Sequence, residues 1–164
     1  TDGQIFLESS LFFSGMRPAV NVGLSVSRVG GDAQTKAMKK AAGSLRIDLA
    51  QYREMEVFTQ FSSDLDDATK EQLEYGSGLM ELLKQPLGKP MSLAEKVITL
   101  CAARHKVMLG IPTAKVKGFQ MDMLSYFASA HPEIAREIEE TKDLSKELSQ
   151  KIVEIAEEFK KSRC

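Results

Sequence analysis

The pattern of hydrophobic and polar positions changes near residue 31 of this chain. Before that point, apolar residues alternate with polar or small residues over residues 20–27. The apolar members of the alternation are Val20, Val22, Leu24 and Val26. A period of two is typical of an extended segment with one apolar face, and residues 5–7 predict a second, shorter strand. We therefore expect short strands and turns in residues 1–31.

From residue 32 onward the apolar positions repeat every three or four residues, which is typical of amphipathic helices. Asp32 is a candidate N-cap for the first helix, and Gly43 is expected to bend or divide that helix. The spacing of Ser92 and Glu95 predicts a capping box at the start of another helix. After the first helix, the predicted helices cover residues 67–84, 93–110, 113–130 and 144–161.

The predicted fold is therefore mainly α: a helical bundle, residues 32–164, preceded by short strands in residues 1–31. Gly110 and Pro112 are expected to end the helix that begins near residue 93. The charged pairs between Glu133 and Lys161 are interpreted as a solvated helical face.

Composition and charge exclude several classes of function. The net charge of −1 offers no concentrated basic face for nucleic acid. Two cysteines are too few for a disulfide framework, and no apolar run reaches the length of a membrane span. His105 and His131 have no partners at metal-ligand spacing, so we expect no metal site. No constellation for a self-contained enzyme is apparent.

Arg28 is the residue most suggestive of chemistry, because it ends the alternating segment and is followed by Gly30 and Gly31. An arginine fixed at that position can present its planar guanidinium group to a phosphate or a carboxylate. The plain alternative is a surface arginine at the end of a strand.

The amino-acid sequence around Arg28 closely resembles that of a known family. Pro-Ala-Val-Asn at residues 18–21 and Ser-Val-Ser-Arg-Val-Gly at residues 25–30 are similar to the signature of the α subunit of F-type ATP synthases. Residues 1–8, 38–40, 46–54, 60–66 and 81–85 resemble neighbouring segments of that family. The phosphate-cradling loop of the family is absent from the sequence. The resemblance therefore implies a C-terminal fragment: the tail of a nucleotide-binding domain, followed by the helical C-terminal domain.

The resemblance also implies roles for individual residues. Arg28 matches an arginine finger that reaches the catalytic nucleotide site of the adjacent β subunit. The resemblance also implies that Ser25 and Ser27, which flank Arg28, belong to the catalytic set, and the position that matches Ser25 is associated with activity in the family. Ordinary turn chemistry is the alternative for both serines. Gln85 matches a glutamine near the adenine of the non-catalytic nucleotide. Leu87 stands where many relatives carry a second glutamine, so this adenine contact is in question.

At the level of the complex, the resemblance implies an enzyme that couples proton transport to ATP synthesis, with ATP or ADP and Mg²⁺ as cofactors. The implied partners are the β subunit, the γ subunit of the central stalk and other headpiece subunits. Residues 64–66 match the tip of the helical domain that faces this stalk. The expected location is peripheral, on the cytoplasmic face of the bacterial plasma membrane or on an organellar inner or thylakoid membrane.

For the fragment alone we expect neither catalytic activity nor a bound cofactor, and membrane contact only through the complex. The alternative is a freestanding helical interaction or regulatory module with no nucleotide chemistry.

Overall fold

The computed structural model describes residues 2–59 and 65–163, and these residues are mainly helical, as the sequence predicts. The elements in order along the sequence are β1 (Gly3–Gln4), α1 (Ser9–Phe13), β2 (Val26–Ser27), α2 (Arg28–Ala33), α3 (Lys36–Ala42), α4 (Leu45–Thr59), α5 (Asp67–Leu83), α6 (Leu93–Arg104), α7 (Thr113–Ala130), α8 (Pro132–Thr141) and α9 (Lys146–Arg163). Among the described residues, the strands form one two-stranded antiparallel sheet.

The prediction of a long strand over residues 20–26 is wrong. β1 pairs with β2, Gly3 lies opposite Ser27, and a single bridge joins Leu7 to Val20. Residues 22–24 form a turn instead, because the Asn21 side-chain oxygen accepts a hydrogen bond from the Leu24 amide at 3.0 Å. An asparagine side chain that bonds the backbone in this way competes with strand pairing. The strand expected at residues 5–7 is likewise reduced to the Leu7 bridge.

Gly30 and Gly31 do not form a hinge before the helices, since both lie inside α2. The Ser27 hydroxyl caps this short helix by accepting a hydrogen bond from the Gly30 amide at 3.0 Å. A Cβ on Gly30 would lie 2.5 Å from that hydroxyl, so the cap requires glycine here. Asp32 also lies within α2 and is not an N-cap, contrary to the sequence-based expectation; Thr35 caps α3.

Gly43 divides the first long helical pattern, as predicted, because α3 ends at Ala42 and α4 begins at Leu45. The Asp66 carboxylate caps α5 by accepting the Thr69 amide at 2.7 Å. α4 and α5 approach closely at Gly76, where an added Cβ would lie 2.3 Å from the Tyr52 ring. Glycine at this position therefore sets the spacing of the two helices.

α6 is the central helix of the core. It packs against α3, α7, α8 and α9, and it is buried almost all round. Such a helix is expected in the interior, because it has no polar face to present to water. Its start carries the predicted capping box: Ser92 accepts the Glu95 amide, and the Glu95 carboxylate accepts the Ser92 amide.

Two further features of the helical region differ from the sequence-based expectation: the end of α6 and the presence of α8. α6 ends at Arg104 rather than near Gly110, because Lys106 adopts a left-handed conformation with φ of 60°. Val107 nevertheless stays fully buried in the turn that follows. The expectation of a single solvated face from residue 133 also missed α8, whose Ile134 and Ile138 are buried.

Candidate functional site

Arg28 lies at the first position of α2, immediately after β2. Its backbone amide donates a hydrogen bond to the Asp2 carbonyl at 3.2 Å, and the preceding Ser27 both pairs with β1 and caps the helix. The Arg28 side chain is exposed, and within residues 2–59 and 65–163 it forms no ion pair. The backbone of Arg28 is thus fixed while its guanidinium remains available to an external anion.

Ser25 is half-buried, and its hydroxyl group both donates and accepts a hydrogen bond. Its Oγ donates to the Asn21 carbonyl at 2.6 Å and accepts the Phe6 amide at 3.0 Å. These bonds join the two halves of the first segment directly behind Arg28. Ser25 and Ser27 therefore perform the turn chemistry that was the alternative for them, and in doing so they position the Arg28 backbone.

Asn21 anchors the Arg28 segment to the helices. This buried side chain donates to Glu8 at 2.6 Å and accepts from Arg53 Nη1 of α4 at 2.8 Å. Arg46, also on α4, donates to the Gly23 carbonyl at 3.0 Å. Sequence reasoning did not single out Asn21, Arg53 or Arg46, although an asparagine near the start of an apolar alternation is a signal for a side-chain bond to the backbone.

Gln85 lies in the loop after α5 and is half-buried. Its backbone amide donates to the Arg17 carbonyl at 2.9 Å, so this loop is tied to the first segment. Beside it lies a cavity of about 630 Å³. The lining residues are Phe12, Arg17, Pro18, Ala19, Gln85, Pro86, Leu87 and Gly88.

The lining of this cavity is mostly apolar and includes one stacked pair of side chains. The Arg17 guanidinium lies over the Phe12 ring, 4.3 Å from its centroid, and the neighbouring walls are mostly apolar. Stacked planes of this kind bind aromatic rings well, and the Gln85 amide can both donate and accept hydrogen bonds. Sequence reasoning missed Arg17, which only the fold brings next to Gln85.

Lys117 supports the Gln85 loop from α7. Its ammonium group donates to the Leu82 carbonyl at 3.2 Å and also contacts the Lys84 carbonyl. Burial lowers the pKa of Lys117, although nearby Glu81 acts in the opposite direction. A lysine that bonds the last carbonyls of a helix stabilises its C-terminus, so Lys117 fixes where α5 ends and the loop begins.

The two predicted sites do not share a pocket, since Ser25, Ser27 and Arg28 do not line the cavity beside Gln85. For the predicted stalk-facing tip, Asp64 lies outside the described residues, and Asp66 serves as the cap of α5. Leu87 is fully exposed at the rim of the Gln85 cavity.

Neither a metal cluster nor a membrane-spanning helix occurs among the described residues. Residues 2–59 and 65–163 contain no group of three or more histidine, cysteine, aspartate or glutamate side chains arranged to hold a metal ion. In the same ranges, no helix combines the length and the apolar character that crossing a membrane requires.

Comparison with known proteins identifies a consistent set of relatives. The model of the family "ATP synthase alpha/beta chain, C terminal domain" matches residues 34–159. ATP synthase subunit alpha of Clostridium kluyveri is 54% identical over 161 residues, which cover 98% of this chain and 32% of the relative. The Petrotoga mobilis subunit is 52% identical, with 97% and 32% covered. The Mycolicibacterium smegmatis subunit is 51% identical, with 98% and 29% covered. The protein described here thus spans about a third of the length of these curated relatives.

Proposed function

Because the protein belongs to the family of C-terminal domains of ATP synthase alpha and beta subunits, we propose that it acts within the α subunit of an F-type ATP synthase. In this proposal Arg28 extends across a subunit interface to the nucleotide held by the adjacent β subunit. The observation that carries the proposal is the geometry of Arg28: a fixed backbone between a strand and a helix, with an exposed guanidinium.

The chemical role of Arg28 follows from the charge distribution in phosphoryl transfer. Magnesium-bound ATP or ADP on the β subunit supplies the reacting phosphates, whose oxygens gain negative charge in the transition state. A guanidinium that is already positioned stabilises that charge without a further cost of reorganisation. Since it is contributed by a different subunit, the catalytic site is complete only when the two subunits close on each other.

Ser25 and Ser27 act as positioning residues in this proposal. Their hydroxyls bond the backbone of Phe6, Asn21 and Gly30, and these bonds hold the segment that carries Arg28. Asn21 holds this segment against α4 through its hydrogen bond with Arg53. The other headpiece partners, including the central stalk near residues 64–66, belong to the same proposal, as does the peripheral location on a membrane.

The experiment replaces Arg28 with lysine in the full-length subunit assembled with β. Lysine keeps the charge but loses the planar fork that spans two phosphoryl oxygens. We expect assembly to survive and turnover to fall by a factor on the order of 10³. Trapping with ADP and a metal fluoride, which mimics the transition state, should weaken in parallel.

The matched control is Arg136→Lys, which alters an exposed arginine on α8. This variant should turn over normally. Normal turnover and normal trapping in the Arg28→Lys variant would refute the role of Arg28 as an arginine finger and would favour a freestanding interaction module.

The cavity beside Gln85 supports a second element of the proposal, a binding place for the base of a non-catalytic nucleotide. The Arg17–Phe12 stack offers a planar surface, and the Gln85 amide offers polar selectivity. Leu87→Gln should strengthen adenine-nucleotide binding in the assembled complex, because it adds an amide at the rim. Gln85→Leu should weaken that binding, and equal affinity in both variants would contradict the assignment.

A further inference from the structure

A second cavity, distant in sequence from both sites above, collects basic side chains from three elements. It is an open groove of about 590 Å³ between the end of α3, the end of α6 and the start of α9. Its lining residues are Lys40, Arg104, His105, Leu144, Ser145, Lys146, Ser149, Gln150 and Val153. The set contains two lysines, an arginine and a histidine but no carboxylate, in a protein whose net charge is −1.

Among the two lysines and the arginine, Lys40 is already compensated. Its ammonium group bonds Asp143 at 2.7 Å and the Leu144 carbonyl at 3.1 Å, and this contact with Lys40 is the main cause that lowers the pKa of Asp143. Arg104 and Lys146 differ from it: neither forms an ion pair within the part of the sequence that the structure describes. The groove therefore retains uncompensated positive charge.

The acidic groups around the groove do not remove this charge. The Glu154 carboxylate accepts a hydrogen bond from the Gln150 amide at 3.0 Å, and Glu147, exposed in the first turn of α9, does not line the groove. Arg104 also lines a neighbouring cavity that contains the Asp48 carboxylate. That carboxylate accepts a hydrogen bond from the Tyr75 hydroxyl at 3.1 Å and forms no ion pair with Arg104.

Arg104 is held in a defined place at the groove. One of its terminal nitrogens donates to the Lys40 carbonyl, which fixes the guanidinium between α3 and α6. A guanidinium has five N–H donors, so this bond leaves others for a ligand. The Ser145 hydroxyl, which accepts the Leu148 amide at 3.0 Å, and the Gln150 side chain add neutral polar groups from α9.

We infer that this groove binds a small phosphate anion, such as pyrophosphate or the polyphosphate of a nucleotide, between Arg104 and Lys146. Arginine offers phosphate a planar pair of donors, and lysine adds a point charge. The site is local and concave, whereas a nucleic acid needs a broad basic face. The inference does not depend on the proposed role of Arg28 or on the Gln85 cavity.

The test follows amide chemical shifts of the 164-residue protein at low ionic strength during titration with sodium pyrophosphate. We expect saturable shifts at Ser149 and Gln150. Lys146→Gln should weaken the affinity by about tenfold, as for loss of one charged hydrogen bond. The double variant Arg104→Gln with Lys146→Gln should lose saturation. Because Arg104 also bonds α3, the single Lys146 variant keeps the test valid if the double variant unfolds.

The matched control is Lys70→Gln with Lys161→Gln, which removes the same charge from α5 and α9 at positions outside the groove. Affinity should remain at the wild-type level in this control. Equal weakening in the control, or no saturable shift near residues 145–150, would overturn the inference. A second titration with ATP identifies the source: shifts only at residues 85–88 would assign nucleotide to the other cavity and leave inorganic pyrophosphate as the ligand of this groove.

Discussion

Residues 2–33 differ from residues 36–59 and 65–163 in how they cover their apolar side chains. In the helical region, the described core draws residues with little solvent exposure from all the helices α3–α9. In the first segment, Met16, Ala19 and Asn21 are buried, whereas many large apolar side chains remain exposed. The exposed ones are Ile5, Phe6, Leu7, Phe12, Phe13, Leu24, Val26 and Val29.

This difference shows that the two regions depend on different interactions. Burial of apolar surface stabilises the helical region, at roughly 25 cal/mol per Å². The first segment relies on a few directed hydrogen bonds to α4 and to the Gln85 loop. Exposed apolar side chains are common at protein–protein interfaces, which is consistent with the proposed position of this segment between subunits.

The largest expected effect is in the core. Phe127 is 2% exposed, whereas Phe13 is 83% exposed. Phe127→Ala should lower the free energy of unfolding by about 3–5 kcal/mol, because it removes buried contacts and leaves a cavity. Phe13→Ala should change it by less than about 0.5 kcal/mol. Urea unfolding followed by circular dichroism measures both values, and similar losses would remove the contrast between the regions.

The next effect concerns the attachment of the first segment. Asn21→Ala removes the partners of Glu8, Leu24 and Arg53. We expect local opening of the segment to become easier by about 1–3 kcal/mol, with faster hydrogen exchange at the Leu24 amide. The helical core should keep its protection, and Ser10→Ala, at an exposed position in α1, is the control. Unchanged exchange at Leu24 would show that apolar contacts hold the segment.

The same chemical change at two helix caps sharpens the comparison further. Ser92→Ala removes the capping box of the central α6, and Ser27→Ala removes the cap of the exposed α2. The first variant should lose about 1 kcal/mol of global stability. The second should leave global stability unchanged and disturb only the Arg28 segment. Thermal melts detect the first effect, and chemical shifts around Gly30 detect the second.

The smallest effect is a dependence on pH within the helical region. Hydrogen bonding to Lys142, followed by the Ala94 amide, lowers the pKa of Glu139 below its usual 4.5. A lowered pKa in the folded state means that its stabilising contribution is present above about pH 4.5 and is lost as pH falls through the folded value. Glu139→Gln should therefore reduce the loss of stability in acid. Since Glu139 is largely open to solvent, the effect will be small, and Glu140→Gln should leave the acid profile unchanged.

The sequence alone determined the features that depend on near neighbours in the sequence. The helical period predicted α5, α7 and α9 close to their observed bounds, and Gly43, Ser92 and Glu95 marked a division and a cap correctly. These features follow from backbone geometry and local hydrogen bonds, which act over a few residues. The amino-acid sequence around Arg28 likewise indicated the family that the comparisons show.

Tertiary structure decided the features that depend on residues far apart in the sequence. The alternation at residues 20–26 predicted a strand, but Asn21 bonds Glu8 and Arg53 instead, and the backbone turns. α8 was hidden among charged residues until packing on α6 buried Ile134 and Ile138. The Gln85 cavity needs Arg17, and the basic groove needs three separate elements. Side chains meet in such sites only after the protein has folded, because no local pattern in the sequence encodes which distant residues become neighbours.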